Sequence, residues 1–275
     1  MTVPGIELNN GVTIPQVGLG VFQIPQEETQ RAVEQALEAG YRHIDTAAGY
    51  ANEAGVGAAV RASGLPREQI FVTTKLANGD QGADTTRRAF EQSRERLGLD
   101  VVDLYLIHWP RPRREQYVET WQVFEQLRAE GAVRAIGVSN FLPEHLDHLI
   151  AQTDVVPAVN QVELHPSFQA PDTQRATRGH GIAVEAYAPI GQARDLDHGA
   201  VRSAAEAHGV TTGQVVLRWQ IQQGTIVIPK SVTPERVTAN IDLFGFELSE
   251  SEMSAITALD TDERMFPDPR TADFD

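Results

Sequence analysis

Four side chains of this chain would form a proton-transfer set if they met: Asp45, Tyr50, Lys75 and His108. Three of them stand at the ends of short apolar runs. Asp45 lies near the end of 43–46, Lys75 ends 70–75, and His108 ends 102–108; Tyr50 follows Asp45 in the next loop. A buried lysine needs a counter-charge, and Asp45 is the obvious one. An ammonium beside a phenol favours the phenolate, so Lys75 is expected to lower the Tyr50 pKa from about 10 toward working range. His108 would donate a hydrogen bond to a substrate oxygen and orient it. Each residue alone has a plainer reading: Asp45 a helix cap, Tyr50 ordinary packing, His108 a satisfied buried imidazole. Four polar groups at equivalent depth are more than packing requires.

The chain has only two lysines, Lys75 and Lys230, against twenty-one arginines. Arginine is permanently charged, whereas lysine's pKa moves readily on burial, so both positions call for explanation. Lys230 ends a second β-branched run, Thr225-Ile226-Val227-Ile228-Pro229-Lys230. The residues after it read as a strand end entering a helix, with Thr233 as N-cap and Pro234 at the first helical position. A helix N-terminus with Lys230, Ser231 and Arg236 nearby is a phosphate site.

The elements that must position these groups follow from periodicity. Apolar runs at 17–22, 43–46, 70–75, 102–108, 133–139, 158–163, 182–187 and 226–229 alternate with amphipathic helical stretches. One such helix covers 27–39, with Ala32, Val33, Ala36 and Leu37 on one face and Gly40 as its stop. Another covers 143–151, placing Leu146, Leu149 and Ile150 on one stripe. Eight strand–helix alternations without a compositional break imply parallel strands with helical crossovers, as in an α/β (β/α)8 TIM barrel. A doubly wound sheet is the alternative. It is weakened because Gly18-Leu19-Gly20 does not continue into G-x-G-x-x-G. Asn10-Gly11 between two alternating runs predicts an N-terminal hairpin closing the barrel floor. The helical stretch 249–259 should pack outside the repeat.

Bulk properties exclude several classes. The net charge of −15 argues against a nucleic-acid partner, since phosphates are bound by summed positive charge. Zero cysteines exclude disulfides and Cys-ligated metals. No secretory leader is visible, and no apolar run approaches the ~20 residues that cross a bilayer. The expectation is a soluble cytoplasmic protein with no membrane partner. No metal is expected either: His43, His108, His165 and His180 lack close ligand spacing.

Longer motifs carry a specific resemblance. The stretch Gly40-Tyr41-Arg42-His43-Ile44-Asp45-Thr46-Ala47-Ala48-Gly49-Tyr50-Ala51-Asn52-Glu53 resembles the signature of the aldo-keto reductases. The segments 102–110, 137–141, 159–163 and 228–231, with Arg236 and Asn240 downstream, resemble the same family in the expected order. The resemblance runs from about residue 8 to residue 259 and is nearest to prokaryotic 2,5-diketo-gluconic acid reductases. It implies one barrel domain over 1–275, NADPH/NADP+ as cofactor, and reduction of an aldehyde or ketone, possible substrates including α-dicarbonyls and keto-sugar acids. Tyr50 would be the general acid, tuned by Lys75 and Asp45, with His108 positioning the carbonyl. Ser139, Asn140 and Gln161 would hold the nicotinamide carboxamide and Tyr187 would stack on its ring. Gly20, Val21 and Asp45 would lie near that end, and Pro189, Ile190, Gly191 and Gln192 along the pyrophosphate. Lys230, Ser231, Val232, Thr233 and Arg236 would hold the 2′-phosphate, with Asn240 at the adenine.

Two positions depart from the family pattern. Ala239 stands where many relatives carry a Glu, and Ala77 stands where the family often has a Trp. Phe22, Tyr50, Ala77, His108 and Trp109 would line the substrate pocket, either widened at Ala77 or filled there by another loop. Phe266 and Phe274 either fold over its mouth or lie on the surface, and Arg111, Arg113 and Arg114 either attract acidic substrates or form a solvated loop. The family is often monomeric. Other functions consistent with parts of the sequence are a Schiff-base aldolase using Lys75 or Lys230, and an NADPH-binding module without enzymatic activity or with a redox-sensing role.

Overall fold

The computed structural model describes residues 3–274. It begins with an antiparallel hairpin in which β1 (Gly5–Glu7) pairs with β2 (Thr13–Pro15), Ile6 opposite Ile14. Gly11 takes φ 82° in the turn, and Asn10 Oδ1 accepts from the Val12 N–H.

The chain then alternates strand and helix: β3 (Leu19–Gly20), α1 (Gln26–Glu38), β4 (His43–Asp45), α2 (Glu53–Ala62), β5 (Phe71–Leu76), α3 (Ala83–Leu97), β6 (Val102–Ile107), α4 (Tyr117–Ala129), β7 (Val133–Ser139), α5 (Pro143–Ile150), β8 (Val159–Glu163), α6 (Pro171–Gly179), β9 (Ala183–Tyr187), α7 (Gly199–His208), α8 (Thr212–Gln222), β10 (Ile226–Val227), α9 (Pro234–Ile241) and α10 (Glu250–Thr257). Strands β3 to β10 form one parallel sheet in sequence order. The sheet closes on itself. Val17 bridges Val227 in parallel, and the Gly18 and Val227 amides donate to Val227 O and Gln16 O at 2.9 and 3.0 Å. Sequential order plus closure makes a (β/α)8 barrel and rules out the doubly wound alternative.

Strands β5 and β6 are buried at every residue, as a sheet covered on one face by helices and on the other by its own interior requires. Between barrel and helices, α1 buries Ala32, Val33, Ala36 and Leu37, the stripe expected from its periodicity. It stops where expected, with Gly40 at φ 105° and its amide on Leu37 O. In α5, Leu146 and Leu149 are buried but Ile150 is only partly so.

The hairpin caps the floor. Asn9 and Asn10 donate side-chain hydrogen bonds to Pro157 O and Arg134 O, at the entries to β8 and β7. Leu8 and Ile14 pack against Phe71, Leu104 and Ile226 inside the lower barrel. With the floor sealed by apolar side chains, the open rim is the C-terminal one. The stretch beyond Ser249 forms α10, whose cap Ser249 accepts from the Glu252 N–H, and which packs on α7 and α8 outside the repeat. Helix α7 is an extra element in the β9–β10 connection that periodicity did not separate.

Candidate active site

Adjacent strands bring Asp45, Lys75 and His108 to one rim. Asp45 ends β4, Lys75 is the fifth residue of β5, and His108 follows β6 directly. Tyr50 is carried by a single 3-10 turn, Ala48–Tyr50, whose exit residue Ala51 has φ 55°. Behind that turn Asn52 donates to Val21 O and Ile24 O, and its carbonyl accepts from Thr46 Oγ1 at 2.7 Å. Glu53, buried, accepts from Thr74 Oγ1 at 2.6 Å and Arg96 Nε at 2.7 Å. The signature stretch is thereby a pinned loop, and the Tyr50 ring can occupy only a narrow range of positions.

Lys75 is the hub. Its ammonium is fully buried and donates to Asp45 Oδ1 at 2.6 Å, Thr46 O at 2.9 Å and Tyr50 Oη at 3.4 Å. The Tyr50 ring packs on Phe22 at 5.0 Å between centroids and edge-on to His108 at 5.7 Å. Burial pushes His108 down to about 3, with the Lys75 charge acting in the same direction, so the imidazole is neutral at physiological pH. For Tyr50 the outcome differs from the sequence expectation. Burial raises its pKa above the ordinary value, and the opposing pull of Lys75 does not overcome it. Tyr50 therefore rests as a protonated phenol beside the Lys75 ammonium.

These groups open into a cleft of about 580 Å³ across the rim. At its floor Gln161 Nε2 donates to Asp45 Oδ2 at 2.8 Å and to Glu185 Oε2 at 2.9 Å, which turns the amide oxygen toward the cleft. Asn140, at φ 64°, accepts from Tyr187 Oη at 2.7 Å and donates to His108 O and to Ser139 Oγ. This locks His108, Asn140, Ser139 and Tyr187 into one shelf. The segment past β9 forms a wall through Pro189, Ile190 and Gln192, with positive φ at Ala188, Gln192 and Ala193. It is tethered from below by buried His165, which bridges Asp195 at 2.9 Å and Glu163 at 3.1 Å.

At the far end Lys230 and Arg236 line the cleft, both exposed and neither in an ion pair among the described residues. Lys75 and Lys230, alike in sequence setting, thus differ in environment: one is sealed in the barrel, the other solvated. Pro234 opens α9 as expected, but the Thr233 hydroxyl does not cap it. Ser231 Oγ instead accepts from the Thr233 N–H at 3.2 Å. Several expected contacts do not line the cleft. Val21 is packed in the core, and Gly191, Ser231, Val232, Thr233 and Asn240 are beside the cleft without lining it. Gly20 does line it, and a Cβ there would meet Ile228 O at 2.9 Å.

The C-terminal tail supplies what sequence reasoning left open. Phe266 and Phe274 both line the mouth, edge-on to Tyr187 and Trp109 respectively. Glu163 accepts from the Met265 and Phe266 amides, and Asn78 Nδ2 donates to Phe274 O at 3.1 Å. Arg111 and Arg114 reach Asp273 at 3.3 and 2.9 Å. Those two arginines thus tie the loop after Trp109 to the tail. Phe274 lines the same cleft as Ala77 and is held by Asn78, the residue next to Ala77.

A closed barrel with an Asp–Tyr–Lys–His rim defines a class, and comparison agrees: the family model described as aldo/keto reductase matches residues 16–261, so the chain belongs to that family. Membership makes it an NADP(H)-dependent oxidoreductase of carbonyl groups. It is 50% identical over 283 aligned residues to morphine 6-dehydrogenase of Pseudomonas putida, covering 98% of this chain and 96% of that one. It is 46% identical to glyoxal reductase of Bacillus subtilis, covering 96% and 95%. A solved structure of a Gox0644 mutant in complex with NADPH superposes with a TM-score of 0.96 at 46% identity, covering all of both chains. No helix among the described residues is long and apolar enough to cross a membrane.

Proposed function

We propose that this chain reduces uncharged aldehydes and ketones to alcohols, with Tyr50 as the acid that protonates the carbonyl oxygen. The observation that carries it is the Lys75 ammonium. It is buried with Asp45 at 2.6 Å and donates at 3.4 Å to Tyr50 Oη, which lines the cleft. A carbonyl oxygen seated between Tyr50 Oη and the neutral His108 imidazole accepts two hydrogen bonds, which strengthen as negative charge develops on it. Tyr50 then gives its proton to that oxygen, and Lys75, held by Asp45, stabilises the phenolate left behind.

The residues fit NADPH. Gln161, with both amide hydrogens committed, offers an acceptor to the carboxamide beside Ser139 and Asn140. Tyr187 presents its ring, and Lys230 and Arg236 offer unpaired charge to the 2′-phosphate. When bound, NADPH supplies the hydride that reduces the carbonyl carbon. The walls facing it are Phe22, Trp109, Phe266 and Phe274, and the nearby Arg111 is tied to Asp273, which favours uncharged carbonyl compounds over keto-sugar acids. A glyoxal reductase and a morphine 6-dehydrogenase among the relatives mark how widely substrate size varies on this frame.

The test is Tyr50→Phe. Oxidation of NADPH against a panel of aldehydes, α-dicarbonyls and ketones should fall by roughly 10²–10⁴, the usual scale of a lost general acid. NADPH binding, read from quenching of protein fluorescence, should persist. Wild-type turnover in the Phe variant would sink the assignment.

A further inference from the structure

Beneath the four rim residues lies a carboxyl that the reaction above does not use. Glu185, in the middle of β9, is fully buried inside the barrel. Its Oε2 accepts from Gln161 Nε2 at 2.9 Å, the same nitrogen that donates to Asp45 Oδ2. Its Oε1 has no hydrogen-bond partner among the described residues, and lies 3.6 Å from His43 Nε2.

The groups facing it can be named strand by strand. From β4 come His43 and Asp45, from β5 Lys75 and Thr73, and from β8 Gln161; β10 sets apolar Ile226 opposite it in register. His43 carries no charge there, because burial pushes it down to about 3. Among these described residues, one is a cation, Lys75, and two carry carboxyls, Asp45 and Glu185. Asp45 has the ammonium at 2.6 Å and keeps the negative charge; Glu185 has no such partner and keeps a proton.

We propose that Glu185 is a positioning residue that weakens the pull of Lys75 on Tyr50 once it ionises, holding Tyr50 as an acid in alkaline solution and biasing the enzyme toward reduction. This rests on Tyr50 being the proton donor. At neutral pH Glu185 is a neutral acid that orients Gln161. Burial, with Asp45 beside it, pushes its pKa up to about 8. Above that it becomes a second carboxylate sharing the single ammonium. Lys75 feels that charge, and its ability to stabilise a phenolate 3.4 Å away falls. Alcohol oxidation, which needs the phenolate as base, is then penalised, whereas carbonyl reduction, which needs the phenol, is spared.

Glu185→Gln tests this because glutamine imitates the protonated acid. Alcohol oxidation with NADP+ and carbonyl reduction with NADPH are measured for both proteins. Near pH 7 wild-type Glu185 is neutral, so the ratio of variant to wild-type oxidation there absorbs any packing defect. By about pH 9 that ratio should rise roughly three- to tenfold, which is half to one unit in the Tyr50 pKa. The corresponding ratio for reduction should not rise. A ratio independent of pH means that Glu185 is structural only, and overturns the proposal.

Tyr50→Phe, run alongside, separates the two claims. If it keeps wild-type turnover, the acid assignment fails; if it is dead while the Glu185→Gln ratio stays flat, the acid assignment stands and Glu185 has no such role. Should Glu185→Gln not fold, carbon-13 NMR of wild-type protein labelled at glutamate and tyrosine gives the same answer. One buried carboxyl must titrate near 8 and shift, in the same step, a tyrosine resonance missing from Tyr50→Phe. Absence of either signal overturns the proposal.

Discussion

Removing the charge on Lys75 tests the core of the site in a way that separates folding from catalysis. Lys75→Met keeps the apolar stem and deletes the ammonium that sits 2.6 Å from Asp45 Oδ1. Two unit charges at that separation attract by about 6 kcal/mol at an effective dielectric near 20. Desolvation of both offsets much of this, and stranding one partner of a buried pair costs about 3–5 kcal/mol. Asp45 is 2% exposed, so its stranded charge is poorly hydrated, and Gln161 gives it a single hydrogen bond.

The loss should depend on pH with a definite sign. Without the ammonium, the folded-state pKa of Asp45 lies far above its unfolded value of about 3.9, so proton uptake favours the folded form. The deficit relative to wild type is full above that raised pKa and shrinks as pH falls toward the unfolded value. Urea unfolding followed by tryptophan fluorescence should show about 3–5 kcal/mol lost near pH 7 and clearly less near pH 5. The double variant Asp45→Asn with Lys75→Met should regain most of that stability and remain inactive. A single variant within about 0.5 kcal/mol of wild type near pH 7, or a deficit constant with pH, would refute the charge-pair account.

Two further outcomes bear on the cleft. Replacing Lys230 and Arg236 with alanine should raise the KM for NADPH by roughly tenfold to a hundredfold, on the scale of charge-assisted contacts of about 1.5–3 kcal/mol. The KM for NADH should hardly move, and an equal rise for both cofactors would remove the 2′-phosphate reading. Ala77→Trp should narrow the mouth beneath Phe274 and lower kcat/KM for bulky ketones about tenfold relative to glyoxal, the scale of a pocket contact worth 1–3 kcal/mol. An unchanged ratio would mean that Phe274 alone sets the width.

The barrel was legible because its signal is repetitive. Eight β-branched runs alternating with helical stripes leave few topologies open, and the strands form within a residue or two of those runs except at β3 and β10, which are cut to two residues each. Those two are also the strands that meet to close the sheet, through Val17 and Val227. The four rim residues were legible because three end apolar runs. Glu185 escaped notice because a single glutamate in a strand usually marks a solvent face; only a barrel wall buried on both faces turns it inward. For Phe266 and Phe274 the choice between mouth and surface stayed open, and Asn78 went unnoticed, because a polar tail carries no periodicity to say where it folds.

The sequence by itself determined the strand–helix order, the rim residues and the family, since these depend on residue type and spacing along the chain. Tertiary structure decided the electrostatics. The spacing could place Lys75 near Tyr50, but only the depth of burial showed that desolvation outweighs the ammonium and leaves the phenol protonated. It likewise separated two lysines with the same local setting, one sealed against Asp45 and the other open beside Arg236. It also paired Arg111 and Arg114 with Asp273, remote in sequence. Charge energies depend on dielectric and on distances between residues remote in sequence, and neither quantity is written along the chain.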